Sequence, residues 1–130
     1  MNVKKPNIIK EKSFAFALRI VNLYKFLADK KEFVLSKQLL RSGTAIGALV
    51  REAEHAESKA DFIHKMAIAQ KKANESDYWI ELLFQSEYLD KNQYQSMIDD
   101  INELQKILSS IILSSKGKDY GKKQFTIHNS

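Results

Sequence analysis

The sequence holds no cysteine, one proline and four glycines among 130 residues. Without cysteine there is no disulfide framework, no thiolate-ligated metal and no thiol nucleophile, and the composition fits a reducing compartment. So little proline and glycine argues against an all-β fold, whose many tight turns draw on both. Long apolar runs are also missing. Phe14 to Leu18 and Ile111 to Leu113 fall far short of the ~20 residues that cross a bilayer. The basic start, Met1 to Asn7, is followed by no apolar segment with a small-residue cleavage site. A cytoplasmic protein with no membrane partner is expected.

What the sequence does hold is helical periodicity. Its 44% hydrophobic and 28% charged residues suffice for one packed domain. Apolar residues recur at three- and four-residue steps, and nowhere does a two-residue alternation persist. The expected fold class is all-α, an antiparallel up-down-up-down four-helix bundle over residues 12–114. Residues 1–11 form a basic N-terminal segment and residues 115–130 a flexible basic tail.

The first helix runs from about Lys12 or Ser13 to Asp29, with Phe14, Leu18 and Val21 on one line and Phe16, Ile20, Leu23 and Leu27 on another. So wide an apolar face needs cover on more than one side, by neighbouring helices or by another subunit. Ser36 is the expected N-cap of the second helix, whose inward line is Leu39, Gly43, Ile46, Val50 and Ala53. A glycine inside a helix costs about 1 kcal/mol against alanine, so Gly43 and Gly47 point to a close helix contact. Ser58 and Asp61 resemble a capping box opening the third helix, with Phe62, Met66, Ala69, Ala73, Ser76, Ile80 and Leu83 inward. Asp90 and Gln93 form another, opening a fourth helix along Tyr94, Ile98, Ile101, Leu104, Leu108 and Ile111 that ends near Leu113.

The net charge of +5 is unevenly spread: residues 1–35 carry +5, residues 36–114 carry −3 and residues 115–130 carry +3. Basic ends around an acidic middle suit a nucleic-acid partner, because lysines near phosphates release condensed counterions. They equally suit solvated termini that keep the protein soluble. The candidate nucleic-acid contacts are Lys4, Lys5, Lys10, Lys12, Arg19, Lys25, Lys30 and Lys31, with Lys116, Lys118, Lys122 and Lys123. Tyr120 and Phe125 add aromatic rings that can stack on unpaired bases.

No catalytic constellation is visible: there is no Gly-rich phosphate loop after a strand and no Gly-x-Ser-x-Gly elbow. Four-helix bundles often enclose a di-metal site built on Glu-x-x-His. Glu52-Ala53-Glu54-His55 and Asp61-Phe62-Ile63-His64 approach that pattern, but both flank one turn at the bundle's end, and the first helix offers no carboxylate in its apolar lines. No metal, no cofactor and no enzymatic activity are expected.

Several motifs occur in order: Leu39-Leu40-Arg41-Ser42-Gly43-Thr44-Ala45-Ile46-Gly47-Ala48, then Arg51-Glu52-Ala53. Ser58-Lys59-Ala60-Asp61-Phe62-Ile63-His64-Lys65 follows, then Tyr78-Trp79-Ile80-Glu81-Leu82-Leu83. Together they closely resemble the four-helix bundle proteins related to 23S rRNA intervening-sequence proteins. The resemblance implies an antiparallel bundle assembled into a closed homo-oligomer, typically a homopentamer, in bacteria. It singles out Arg41, Ser42, Gly43, Gly47, Glu52, Ser58, Asp61, Phe62, Lys65, Tyr78, Trp79 and Glu81 as motif residues. A more distant relative, accessory to diversity-generating retroelements, binds nucleic acid and a reverse transcriptase. Many relatives carry Ser and Asn where this chain has Ala45 and Leu49, so a polar patch one turn long has become apolar. Structured RNA or other nucleic acid is the expected partner, and an oligomeric scaffold that binds protein instead is the alternative.

Overall fold

A computed structural model describes the backbone of residues 4–128 and the side chains of residues 8–117. It contains four helices, α1 (Lys4–Asp29), α2 (Leu35–Glu54), α3 (Lys59–Gln85) and α4 (Lys91–His128), and no strand among the described residues. Each helix packs on the next and α4 packs back on α1, the sparsest of the four pairs. Partners across every pair run in opposite numerical order. Lys10 meets Glu54 and Ile20 faces Gly43 between α1 and α2; Ser42 meets Ser76 and Glu52 meets Lys65 between α2 and α3. Gln70 meets Ser109 and Phe84 stacks on Tyr94 between α3 and α4, while Lys12 meets Glu103 and Arg19 meets Asp100 between α4 and α1.

The expected inward lines of the last three helices form the core. Leu39, Gly43, Ile46, Val50 and Ala53 are buried on α2, and Met66, Ala69, Ala73, Ser76, Ile80 and Leu83 on α3. Ile101, Leu104, Leu108 and Ile111 are buried on α4. Along α1 only one expected line is inward: Phe16, Ile20 and Leu27 are buried, whereas Phe14 is 49% and Leu18 52% exposed. The neighbouring helices therefore leave one side of α1's apolar face uncovered.

Both outer helix limits differ from the sequence reading. Helix α1 begins at Lys4, not near Lys12. Pro6 lies in the first turn, where its missing N–H breaks no hydrogen bond, and the fully buried Ile9 and Ser13 extend the Phe16/Ile20 line backwards. Helix α4 continues past Leu113 to His128, so residues 115–128, expected as a tail, are helical. The end of an apolar stripe marks where a helix stops packing, and its hydrogen-bond ladder needs no apolar face to propagate.

The cap of α2 also differs. Ser36 lies inside the helix, and Val34 holds the N-cap position without a side-chain cap. Glu32 takes that role: its carboxylate accepts from the backbone N–H of Val34 (3.1 Å), Leu35 (3.0 Å) and Ser36 (2.7 Å), and the Ser36 hydroxyl donates to the Glu32 carbonyl at 2.8 Å. Glu32 is only 7% exposed. Burial pushes its carboxyl up, but the amides of Leu35, Ser36 and Val34 and the Ser36 hydroxyl outweigh burial and hold it below the usual value. The other two caps are as expected: Asp61 N–H donates to Ser58 Oγ at 3.0 Å, and Asp90 and Gln93 bond reciprocally at 2.9 and 2.7 Å. Helices α1 and α3 end without glycine, on Lys31 (φ 64°) and Glu87 (φ 70°), where Glu32 N–H returns to Leu27 O and Tyr88 N–H to Leu83 O.

Two stability predictions follow from these contacts. A Cβ on Gly43 would sit 2.8 Å from Ile20 Cγ1, whereas on Gly47 it would meet Ser13 O at an ordinary 3.4 Å. Thermal unfolding should show Gly43→Ala destabilised by about 1–3 kcal/mol through overpacking and Gly47→Ala unchanged or stabilised by up to about 1 kcal/mol through helix propensity. Equal effects would contradict the close contact at Gly43. Glu32→Gln should cost about 1–2 kcal/mol at neutral pH. Because folding lowers this carboxyl's pKa, its contribution is complete above the usual carboxylate range and fades as pH falls through the lowered value. Urea titrations across the acid range should show a smaller acid-side loss in Glu32→Gln than in the parent.

Candidate nucleic-acid interface

The α1 cations singled out from sequence are largely engaged within the bundle. Lys10 Nζ lies 3.3 Å from Glu54 of α2, and Lys12 Nζ 3.1 Å from Glu103 of α4. Arg19 donates to Asp100 Oδ2 at 2.5 Å and to Ser96 Oγ at 2.8 Å. Lys30 reaches the Tyr88 carbonyl at 3.5 Å and stands 4.7 Å over the Phe26 ring. Half-exposed pairs of this kind contribute little stability each. Their main effect is to neutralise α1 and fix its seat between α2 and α4. Lys25, Lys31 and Lys116 are exposed; the side chains of Lys4, Lys5, Lys118, Lys122 and Lys123 lie outside the described residues.

The contact order brings the two basic ends of the sequence together. Lys12 pairs with Glu103, and Ile8 lines an apolar groove with Ile107 and Ile111. The first turn of α1, with Lys4 and Lys5, therefore belongs to the same end of the bundle as the part of α4 beyond Ile111, with Lys116, Lys118, Lys122 and Lys123. The Lys10–Glu54 pair puts the last turn of α2 at that end as well. Lys25, Lys30 and Lys31 lie toward the other end.

Of the motif residues, Ser42, Glu52 and Lys65 join α2 to α3. The Ser42 and Ser76 hydroxyls are buried 2.9 Å apart. Lys65 donates to Glu52 at 3.0 Å, and that hydrogen bond with the Glu52 charge raises the Lys65 pKa. Gly43 admits Ile20, Gly47 faces Ser13, Ser58 and Asp61 cap α3, and Phe62 packs on the core. Trp79 is half-buried against the core with Tyr78 edge-on at 4.9 Å, and its buried Nε1 has no acceptor among the described residues. Arg41, Tyr78 and Glu81 are exposed. Ala45 and Leu49 are half-buried, and Leu49 packs on the core.

Sequence reading passed over the outward face of α2. Lys37, Arg51 and His55 are exposed there with Arg41, and the Arg51 guanidinium lies 5.1 Å from the Phe14 ring centroid. Their helical spacing opposite the Leu39/Ile46/Val50 line was the available signal. Among the described residues no three His, Asp or Glu side chains converge as a metal site would require; His55 and His64 are both exposed. No helix of the described residues is long and apolar enough to cross a membrane.

Fold and surface thus define a four-helix bundle whose ordered motifs serve helix packing and whose cations divide between internal pairs and the outside. Residues 5–110 match the family model of the 23S rRNA-intervening sequence protein, and the chain belongs to that family. It is also similar to a crystal structure from Bacteroides thetaiotaomicron, described as a protein of unknown function from the S23 ribosomal protein family. That likeness has 60% identity and a TM-score of 0.82, and covers 83% of this chain and 97% of the other. No curated protein shows significant similarity.

If Arg19 is chiefly a strut between α1 and α4, Arg19→Gln should lower stability by about 0.5–1 kcal/mol and speed amide exchange along α4 near Ser96 and Asp100. Any RNA affinity, measured by anisotropy, should stay within about twofold of the parent. A larger affinity loss without destabilisation would make Arg19 a direct contact.

Proposed function

We propose that this chain is a non-enzymatic, cytoplasmic bacterial protein that binds structured RNA or other nucleic acid as a closed homo-oligomer, with the pentamer favoured by family resemblance. The subunit on this reading is an antiparallel up-down-up-down bundle, which the opposed order of its cross-helix contacts supports. The observation that carries the nucleic-acid reading is that the first turn of α1 and the part of α4 beyond Ile111, both lysine-rich in sequence, belong to the same end of the bundle. A ring would repeat this cluster in every subunit and turn weak contacts into avidity. The exposed Leu18 on α1 supplies apolar surface for subunit contact.

A second reading, an oligomeric scaffold for a protein partner, draws on that same apolar surface and on Tyr78, which is 57% exposed. It predicts an oligomer of the same mass with no RNA retention. On the leading reading, RNA affinity falls steeply with salt. Deleting residues 115–130 removes four lysines and should reduce the slope of log K against log salt by about three. Salt-independent binding, or no binding at about 50 mM salt, would remove the nucleic-acid reading, and light scattering on the same samples reports the assembly.

A further inference from the structure

The outward face of α2 carries Lys37, Arg41 and Arg51, with His55 at the helix end, all exposed. At 1.5 Å per residue this row spans about 27 Å, enough to follow several phosphates of a nucleic-acid strand. None of these four side chains enters an ion pair among the described residues. The carboxylates beside the row are occupied elsewhere, Glu52 by Lys65 at 3.0 Å and Glu54 by Lys10 at 3.3 Å. In α1, by contrast, three cations are tied to neighbouring helices. Next to the row lies Phe14, 49% exposed, with the Arg51 guanidinium 5.1 Å from its ring centroid. A planar cation beside an open ring is the surface on which unpaired bases stack. The row also leads to the end of the bundle where the two basic termini meet.

We infer that the outer face of α2, centred on Arg41 and Arg51 with Phe14, is a contact surface for the phosphate backbone of structured RNA, an inference that rests on the nucleic-acid reading above. Charge favours RNA over a second copy of this chain. A two-fold pairing of the face on itself would set like charges against each other. Among the described residues the carboxylates in no ion pair and no cap, Glu11, Asp29, Glu57, Asp77, Glu81, Glu87 and Asp99, are scattered over α1, α3, α4 and two turns and form no acidic row matching this one.

The test is fluorescence anisotropy with a labelled RNA stem-loop at about 50 mM salt and upward, with circular dichroism and light scattering on every sample. The proteins are the parent, Arg41→Gln/Arg51→Gln, and a Lys116→Gln/Lys118→Gln/Lys122→Gln/Lys123→Gln variant. A further variant, Lys37→Gln/Arg41→Gln, leaves the Arg51 stack on Phe14 in place should the first prove unstable. The expected result is that both α2 variants keep the parent mass and fold and bind about tenfold or more weakly, with the salt slope lower by about two. Parental affinity in both α2 variants, with binding lost in the four-lysine variant, would overturn this inference and leave the nucleic-acid reading standing. A changed mass with unchanged RNA affinity would assign the face to a second copy and overturn it too. No binding by the parent would remove both readings.

Discussion

The closeness of α1 to α2 is the constraint on which the rest of the bundle depends. At Gly43 the two helices are so near that a single Cβ would clash with Ile20, a fully buried residue, and one turn later Gly47 faces the Ser13 backbone. A glycine inside a helix is costly, and at Gly43 the depth of this contact is what it obtains in return. With α1 seated there, Lys10 reaches Glu54 on one flank, and Lys12 and Arg19 reach Glu103 and Asp100 on the other. Phe14 and Leu18 are left outside.

That seat also decides which charges face outward. The surplus on the first 35 residues looks like a polyanion footprint in sequence, yet much of it offsets the acidic middle of the chain through pairs between helices. Desolvation of such half-exposed pairs is slight and so is their stabilisation; what they alter is the field presented to a partner. The two basic ends, far apart in sequence, come to one end of the bundle, and α2 adds a row of cations whose nearest carboxylates are taken. The net charge of +5 describes neither arrangement.

How much of this was legible depended on periodicity. The inward lines of α2, α3 and α4 were readable because burial imposes a 3.6-residue recurrence that side-chain chemistry reports directly. So were the Ser58/Asp61 and Asp90/Gln93 caps, since both partners lie within four residues. Glu32 was missed because it caps α2 from before the helix, outside the usual Ser/Thr/Asp/Asn position, with Ser36 offering the more familiar pattern. The α1 start was missed because its first two turns are rich in lysine and carry only Ile8 and Ile9 as large apolar residues, while the first-turn Pro6 forfeits nothing. Pairings such as Arg19 with Asp100 are 81 residues apart, and nothing local in the sequence marks them. For the same reason the outward row on α2 was hidden: which cations are already paired is a tertiary fact.

On the reading proposed above, this bundle presents exposed cations to RNA. The most direct measurement is ultraviolet crosslinking in the native host, with the attached RNA sequenced and the crosslinked peptides mapped by mass spectrometry. RNA adducts are expected on peptides spanning residues 37–55 and 116–123, and none on peptides centred on Arg19. Recovery of a protein partner with no RNA attached to either segment would contradict it.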